Sequence, residues 1–278
     1  MGRLPLDELI LVKLGGSVIT DKRRASTPRI EVMARLAREI SAAKKERPGL
    51  QLVLGHGSGS FGHIVGARYH IQQGIDAGAG IEQWRGYAET AAAAARLNRI
   101  VADALLQAGV PVVSIQPSAS ARCRAGKLLS LETWAVQRAL QHRLVPLLYG
   151  DVAFDQAQGC AIISTETVFA YLARQLYPAR IVMVGQVAGV FDQDPLRCPH
   201  ARIIERITPN TIDDIQIKLG GSHGIDVTGG MLTKVRAMLS LVVDGHTQRV
   251  HLISGLTEGA LRRTLVDAQT VEGTVIEL

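Results

Sequence analysis

Short runs of β-branched and aliphatic residues recur along this chain, separated by longer stretches in which apolar positions return every three or four residues. The runs cover Leu9–Leu14, Gln51–Leu54, Val110–Ile115, Leu144–Leu148, Ala161–Ile163, Arg180–Val184, Arg249–Ile253 and Thr274–Leu278, and they predict strands. The longer stretches, Ile30–Arg47, Ile81–Gln107, Leu131–Gln141, Thr165–Leu176, Gly230–Val243 and Glu258–Val266, predict helices. Strand and helix alternating in this way imply an α/β fold, a mostly parallel sheet between helical layers, with ligands bound beyond the carboxyl ends of the strands. Gly74–Gly80 reads as a glycine-rich loop and Arg122–Lys127 as a basic one, and no repeat or Pro/Ser-rich linker interrupts the pattern. A lobe boundary is expected near Ala157–Gly159, dividing a single domain over 1–278 into segments 1–158 and 159–278.

Composition narrows the class. With 278 residues, 47% hydrophobic and 20% charged, the chain can bury a large core. No apolar stretch is long enough to span a bilayer, and Asp7 and Glu8 interrupt the hydrophobic segment at the N-terminus, so no membrane association and a cytoplasmic setting are expected. Cys123, Cys160 and Cys198 lie far apart and form no CxxC pair, which suggests neither a disulfide framework nor a zinc site. A net charge of +6 suits anionic ligands. The Lys44-Lys45-Glu46-Arg47 cluster sits where cations favour a helix end, and aromatics, 4% of the chain, do not interleave with it or with Asp21-Lys22-Arg23-Arg24. The stacking platforms of a single-strand binder are missing, so no nucleic-acid partner is expected.

Four motifs carry chemistry. Lys13-Leu14-Gly15-Gly16-Ser17 ends the first strand: paired glycines let backbone N–H groups approach phosphate oxygens, the serine adds a donor and the lysine a charge. Glycine pairs after strands are also common turns, and the Walker A pattern does not occur. Gly57-Ser58-Gly59-Ser60-Phe61-Gly62-His63 follows the second strand and matches the dinucleotide fingerprint, but no strand ending in an acid follows at the required distance, which argues against a nicotinamide-dependent oxidoreductase. His63, directly after this run, can donate to a bound phosphate and be charged opposite a dianion, whereas His56 reads as structural. Gly150-Asp151-Val152 follows a strand, and Asp226-Val227-Thr228-Gly229-Gly230-Met231-Leu232-Thr233-Lys234 opens a helix whose first turn carries a lysine, a natural anion site.

These motifs, with Ile19-Thr20-Asp21-Lys22 and Gly189-Val190-Phe191-Asp192, resemble in order and over nearly the whole chain the isopentenyl phosphate kinases of the amino acid kinase superfamily. The resemblance implies an open three-layer αβα sandwich, ATP with Mg²⁺, a homodimer, and isopentenyl phosphate as the small-molecule acceptor, with 1–158 the acceptor lobe and 159–278 the nucleotide lobe. It implies that Lys13 and Lys22 hold the transferring phosphoryl group, Lys234 the ATP phosphates from the other side, and Gly15, Gly16 and Ser17 further donors. Gly57, Ser58, Gly62 and His63 would bind the acceptor phosphate with Gly150 near it, and Asp151 would organise the lysines. Ser164, Gly189, Asp192, Asp194 and Gly229 would surround the nucleotide. A phosphate monoester is already an anionic nucleophile, so positioning and charge neutralisation suffice for in-line transfer.

Three positions depart from the family pattern. Ser58 stands where a third consecutive glycine is usual, Ser164-Thr165-Glu166 replaces Ser-Gly-Asp, and Gln186-Val187-Ala188 lacks the acid that commonly precedes Gly-Val. The related fosfomycin kinases share the histidine and lysines, so a phosphonate acceptor is the alternative, with an acceptor pocket expected between Tyr69 and Tyr87. A non-catalytic nucleotide- or anion-binding protein is the other alternative.

Overall fold

A computed structural model describes residues 8–278 except 22, 77, 194, 196, 197, 199 and 214–226. Strands β1 (Leu9–Leu14), β2 (Gln51–His56), β3 (Val112–Ser114), β6 (Val145–Tyr149), β9 (Arg180–Gly185), β10 (Arg206–Ile207), β11 (Arg249–Ser254) and β12 (Gly273–Ile276) form one sheet in the order β10-β12-β11-β9-β1-β2-β6-β3. Every described pairing in it is parallel except β11 with β12. Parallel strands buried on both faces read as continuous apolar runs, which is why β1, with its bounds, was legible in the sequence.

Alternation along these strands sends side chains to two cores. Ile10, Val12, Leu52, Leu54, Val182 and Val184 pack beneath α2 (Ile30–Glu46), α4 (Ile81–Gln107) and a last short helix, Ala260–Val266. Leu11, Val53, Leu148, Ile181 and Leu252 pack on the opposite face, under α5 (Trp134–Gln141), α6 (Thr165–Leu176) and α7 (Val227–Val243). The result is the expected three-layer αβα sandwich. Lys44 and Lys45 lie in the last turn of α2, as the helix-dipole reading anticipated.

Several elements escaped the periodicity, among them the strands Asp151–Asp155 and Arg206–Ile207. The segment read as a basic loop is a hairpin, β4 (Arg122–Arg124) and β5 (Lys127–Ser130), turned at Ala125-Gly126 with both residues at positive φ. It joins β7 (Asp151–Asp155) and β8 (Gly159–Ile163) in a second sheet, ordered β5-β4-β7-β8. Asp155 fastens the two turns: its carboxylate accepts N–H bonds from Ala125 (2.9 Å), Gly126 (2.8 Å), Ala157 (2.8 Å) and Gln158 (3.1 Å). Burial alone would raise this carboxyl, but these bonds hold it below the usual carboxylate range. Also unexpected are the four-residue α1 (Gly16–Ile19) and α3 (Gly59–Arg68), whose glycines disfavour a helix by propensity and which tertiary packing nonetheless imposes.

Candidate functional site

β1 lies at the centre of the large sheet, with β2 on one side and β9 on the other, so the chain's path diverges at its carboxyl end. A crevice opens there. The turns after β1, β2, β6 and β9 all reach it, and they line a cavity of about 930 Å³ together with the starts of α6 and α7.

Lys13, one residue from the end of β1, points to the α6 face with Leu11 and is a register partner of Gly55 on β2. A Cβ on Gly55 would lie 2.7 Å from Thr165 Cγ2 and 2.6 Å from Phe169 Cε1, so the missing side chain lets α6 settle directly on β2. That contact places Glu166, in the first turn of α6, over the end of β1. Glu166 Oε1 stands 2.8 Å from Lys13 Nζ and 3.7 Å from Lys234 Nζ. Burial alone would raise the Glu166 carboxyl, but the charge and hydrogen bond of Lys13, with the charge of Lys234, bring it below its ordinary value. The lysine side chains differ in exposure, 12% for Lys13 against 54% for Lys234, so one is fixed in the floor and the other stands at the solvent edge.

Two glycine loops form the opposite wall. A Cβ on Gly16 would lie 2.6 Å from Gly59 N and 2.7 Å from Gly59 Cα, and one on Gly57 would lie 2.9 Å from Gly16 N. The loops therefore touch backbone to backbone. Intrahelical bonding in α1 begins with Val18 and Ile19 donating to the Gly15 carbonyl, which leaves the Gly16 and Ser17 N–H groups ahead of it at the cavity. In α3, Phe61 and Gly62 donate to the Ser58 carbonyl, and Ser58's side chain rests over Gly62, where an added Cβ would meet Ser58 Cβ at 2.6 Å. His63 follows, exposed and lining the cavity.

His56 is fully buried and stacks on Tyr149 at 5.5 Å between ring centroids. Asn98 Nδ2 donates to its Nε2 (3.2 Å), which assigns the proton to Nδ1, 3.1 Å from the Gly57 carbonyl. Its own carbonyl accepts from Thr165 Oγ1 (2.6 Å) and Gly150 N (3.0 Å), so the Gly57–His63 loop, the Gly150 turn and α6 meet at one residue. Burial lowers the His56 pKa to about 4. A histidine held neutral in this way contributes stability that is complete above its unfolded pKa near 6.5 and is lost as pH falls toward 4. A difference of that size corresponds to about 3 kcal/mol. Urea denaturation should therefore show stability falling between pH 6.5 and 4, and a His56→Gln variant should show a flatter profile. An equally steep profile in the variant would rule His56 out as the source.

The remaining residues named by the sequence sort clearly. Lys13, Gly15, Gly16, Ser17, Gly57, Ser58, Gly62, His63, Gly150, Asp151, Ser164, Gly189 and Lys234 all line the cavity. Ser164 also caps α6, its Oγ accepting the Thr167 N–H at 3.1 Å. Asp192 does not line the cavity and instead accepts the Arg202 N–H at 2.8 Å. Gly229 lies in the α7 backbone, while Lys22 and Asp194 lie outside the described residues. Asp151 is buried and takes N–H bonds from Ser118 (3.2 Å) and Val152 (2.9 Å), and burial pushes its carboxyl up. Among the described residues the carboxylate between two lysines is Glu166, in the place the resemblance had given to Asp151.

Beyond His63 the wall is mostly aliphatic: Thr90, whose hydroxyl is turned to the Gly86 carbonyl, and Ala94 from α4, Val152 from β7 and Ile162 from β8. No described residue from Tyr69 to Tyr87, the segment expected to line the acceptor pocket, lines the cavity; Tyr69 and Tyr87 pack against a cluster of Ile71, Ile75, Val152 and Cys160, with Tyr87 stacked on Phe154 at 4.7 Å. Met183, Leu252, Met231 and Met238 line the side toward α7.

The amino acid kinase family matches residues 8–254. The chain is 34% identical to the isopentenyl phosphate kinase of Methanothermobacter thermautotrophicus, over 96% of this chain and 98% of that protein. It is 36% identical to that of Methanocaldococcus jannaschii, over 82% and 85%. Among solved structures, an isopentenyl phosphate kinase superposes with a TM-score of 0.79 at 31% identity, covering 96% of this chain and all of the other. No helix among the described residues is long and apolar enough to cross a membrane.

Proposed function

Since this chain belongs to the amino acid kinase family and, within it, to the isopentenyl phosphate kinases, we propose that its cavity transfers the γ-phosphoryl group of ATP to isopentenyl phosphate, giving isopentenyl diphosphate and ADP. The observation that carries this reading is the Lys13–Glu166–Lys234 cluster facing two glycine loops across one crevice.

An oxygen of the acceptor phosphate attacks the γ-phosphorus, and the bond to the β,γ-bridging oxygen breaks in line, with the electron pair leaving on ADP. Lys13 neutralises charge on the transferring group from the floor, and Lys234 meets the ATP phosphates from the solvent side. Glu166 offsets the repulsion between the two ammonium groups and holds both toward one volume. Gly16 and Ser17 add N–H donors to the transferring group. His63, Gly57, Ser58 and Gly62 receive the acceptor phosphate beside Gly150, and the prenyl tail runs against Ala94, Val152 and Ile162. Lys22 belongs with Lys13, and Gly189 and Gly229 with the nucleotide. Asp192 and Asp194 stay assigned to the nucleotide side on the resemblance alone. Asp151, next to Gly150, holds the segment around Ser118 against the start of β7.

Glu166 and Asp151 are the acids lining the cavity among the described residues, so Mg²⁺ is expected to be held largely by phosphate oxygens and water. When bound, it neutralises charge on the β- and γ-phosphates. Residues 1–158 then supply the acceptor side and 159–278 the nucleotide side of a cytoplasmic homodimer, as the sequence resemblance implies.

Steady-state kinetics with isopentenyl phosphate and with fosfomycin, for the wild type and His63→Ala, test the acceptor assignment. The wild type should prefer isopentenyl phosphate. His63→Ala should lower kcat/KM for it by about a hundredfold or more while leaving the KM for ATP nearly unchanged. Preferred turnover of fosfomycin would replace the acceptor, and an unimpaired His63→Ala would remove the histidine from the site.

A further inference from the structure

Thr20 is fully buried at the end of α1, and neither its position nor its chemistry is used by the transfer just described. Its hydroxyl nevertheless makes two bonds in different directions. Oγ1 donates to the Gly16 carbonyl at 2.7 Å, inside the loop that meets the transferring phosphoryl group. The same oxygen accepts the Ser60 N–H at 3.0 Å, inside the loop that receives the acceptor phosphate. Between them sits Gly59 at φ +51°, where a side chain would collide with Thr20 Oγ1.

Ser60 carries the connection further. Its hydroxyl accepts the Thr27 N–H at 3.3 Å and its carbonyl the Ser26 N–H at 3.3 Å. Residues 20 and 28 form an antiparallel bridge, and Asp21 N donates to the Thr27 carbonyl at 2.9 Å, so residues 26–28 are tied both to Ser60 and to residues 20–21. The Thr20 hydroxyl thus joins the two glycine loops, and Ser60 ties residues 26–27 to the same junction.

We propose that Thr20 is a positioning residue that sets the separation between the phosphoryl-donor loop and the acceptor loop, and so the in-line distance between the two phosphates. The inference rests on the kinase reading above. A hydroxyl that only capped α1 would need a single bond to Gly16, which the Thr20 N–H already makes at 2.9 Å; the bond to Ser60 serves no helix end. Without it the loops keep their Gly16–Gly59 contact but lose the link that fixes their register, and the buried Ser60 N–H is left to find another partner. Displacements of about 1 Å between reacting groups can cost on the order of a hundredfold in rate.

The test compares wild type, Thr20→Val and Thr20→Ser in kcat with Mg-ATP and isopentenyl phosphate, and in Kd for each substrate alone by titration calorimetry. Thr20→Val keeps the shape and removes the hydroxyl. It should lower kcat by about 10- to 100-fold with each Kd within about threefold of wild type, and Thr20→Ser should recover most of the rate. Thr20→Ala serves the same comparison if the valine variant does not fold. A valine variant with wild-type kcat, a rate loss matched by equal weakening of either Kd, or a serine variant as slow as valine would each overturn the proposal. Absence of transfer in the wild type would instead refute the kinase reading, and is seen before any variant is measured.

Discussion

Lys13→Ala should lower kcat by about a thousandfold, the upper range for removing one preorganised donor from a phosphoryl-transfer site. The side chain is nearly buried at the end of the central strand, where it fixes a charge on the cavity floor. Its loss also strands Glu166. Removing one partner of a buried pair typically costs about 3–5 kcal/mol, and the cost here should fall at or below the low end because Lys234 stays within reach. Titration gives a second signature. In the wild type, Glu166 stability is present above the unfolded carboxylate pKa and is lost as pH falls through its lowered folded value. In Lys13→Ala the burial that raises this carboxyl is opposed by less charge, so acid unfolding should begin at higher pH. Kinetics and acid denaturation of the variant check both parts; activity within tenfold of wild type would remove Lys13 from the reaction.

Gly16→Ala should be nearly as damaging through a methyl group alone. Its Cβ would meet Gly59 N at 2.6 Å and Gly59 Cα at 2.7 Å, and backbone atoms cannot rotate aside. Overpacking of this kind costs about 1–3 kcal/mol, and the loops must part to relieve it. If they bind the two reacting phosphates as proposed, kcat should fall by about a hundredfold, more than any change in the affinity for either substrate. Urea denaturation and single-substrate titrations separate these effects. A stable variant with normal turnover would show that the loops can open without consequence.

The sequence carried much of this site because the motifs are local. Lys13-Leu14-Gly15-Gly16-Ser17 and Gly57–His63 each follow a strand whose apolar run is unbroken, and both end at the crevice. His56 was rightly read as structural, since a histidine at the end of a buried strand meets the helix layer, here Asn98. Glu166 was missed as an organiser, and its substitution for an aspartate was taken only as a departure. Its role exists because Gly55 admits α6 onto β2, a contact between segments far apart in the chain. The Ser164 cap followed by an acid in the first helical turn marked a helix start, but nothing local says which lysine the acid will face. Most of the second sheet was illegible for a different reason, only β8 having been expected, as Ala161–Ile163. Its strands are three to five residues long, and Arg122–Arg124 alternates charged and apolar residues too briefly to stand out from a loop. The apolar walls therefore came from Val152 and Ile162, not from the aromatic residues between Tyr69 and Tyr87.

The most direct test is a ³¹P NMR time course of the purified protein with Mg-ATP and isopentenyl phosphate. The monophosphate resonance should disappear as signals of an organic diphosphate and ADP grow in equal amounts. Folded protein that binds ATP yet leaves the monophosphate unchanged, or that releases inorganic phosphate in place of the diphosphate, would contradict transfer to this acceptor.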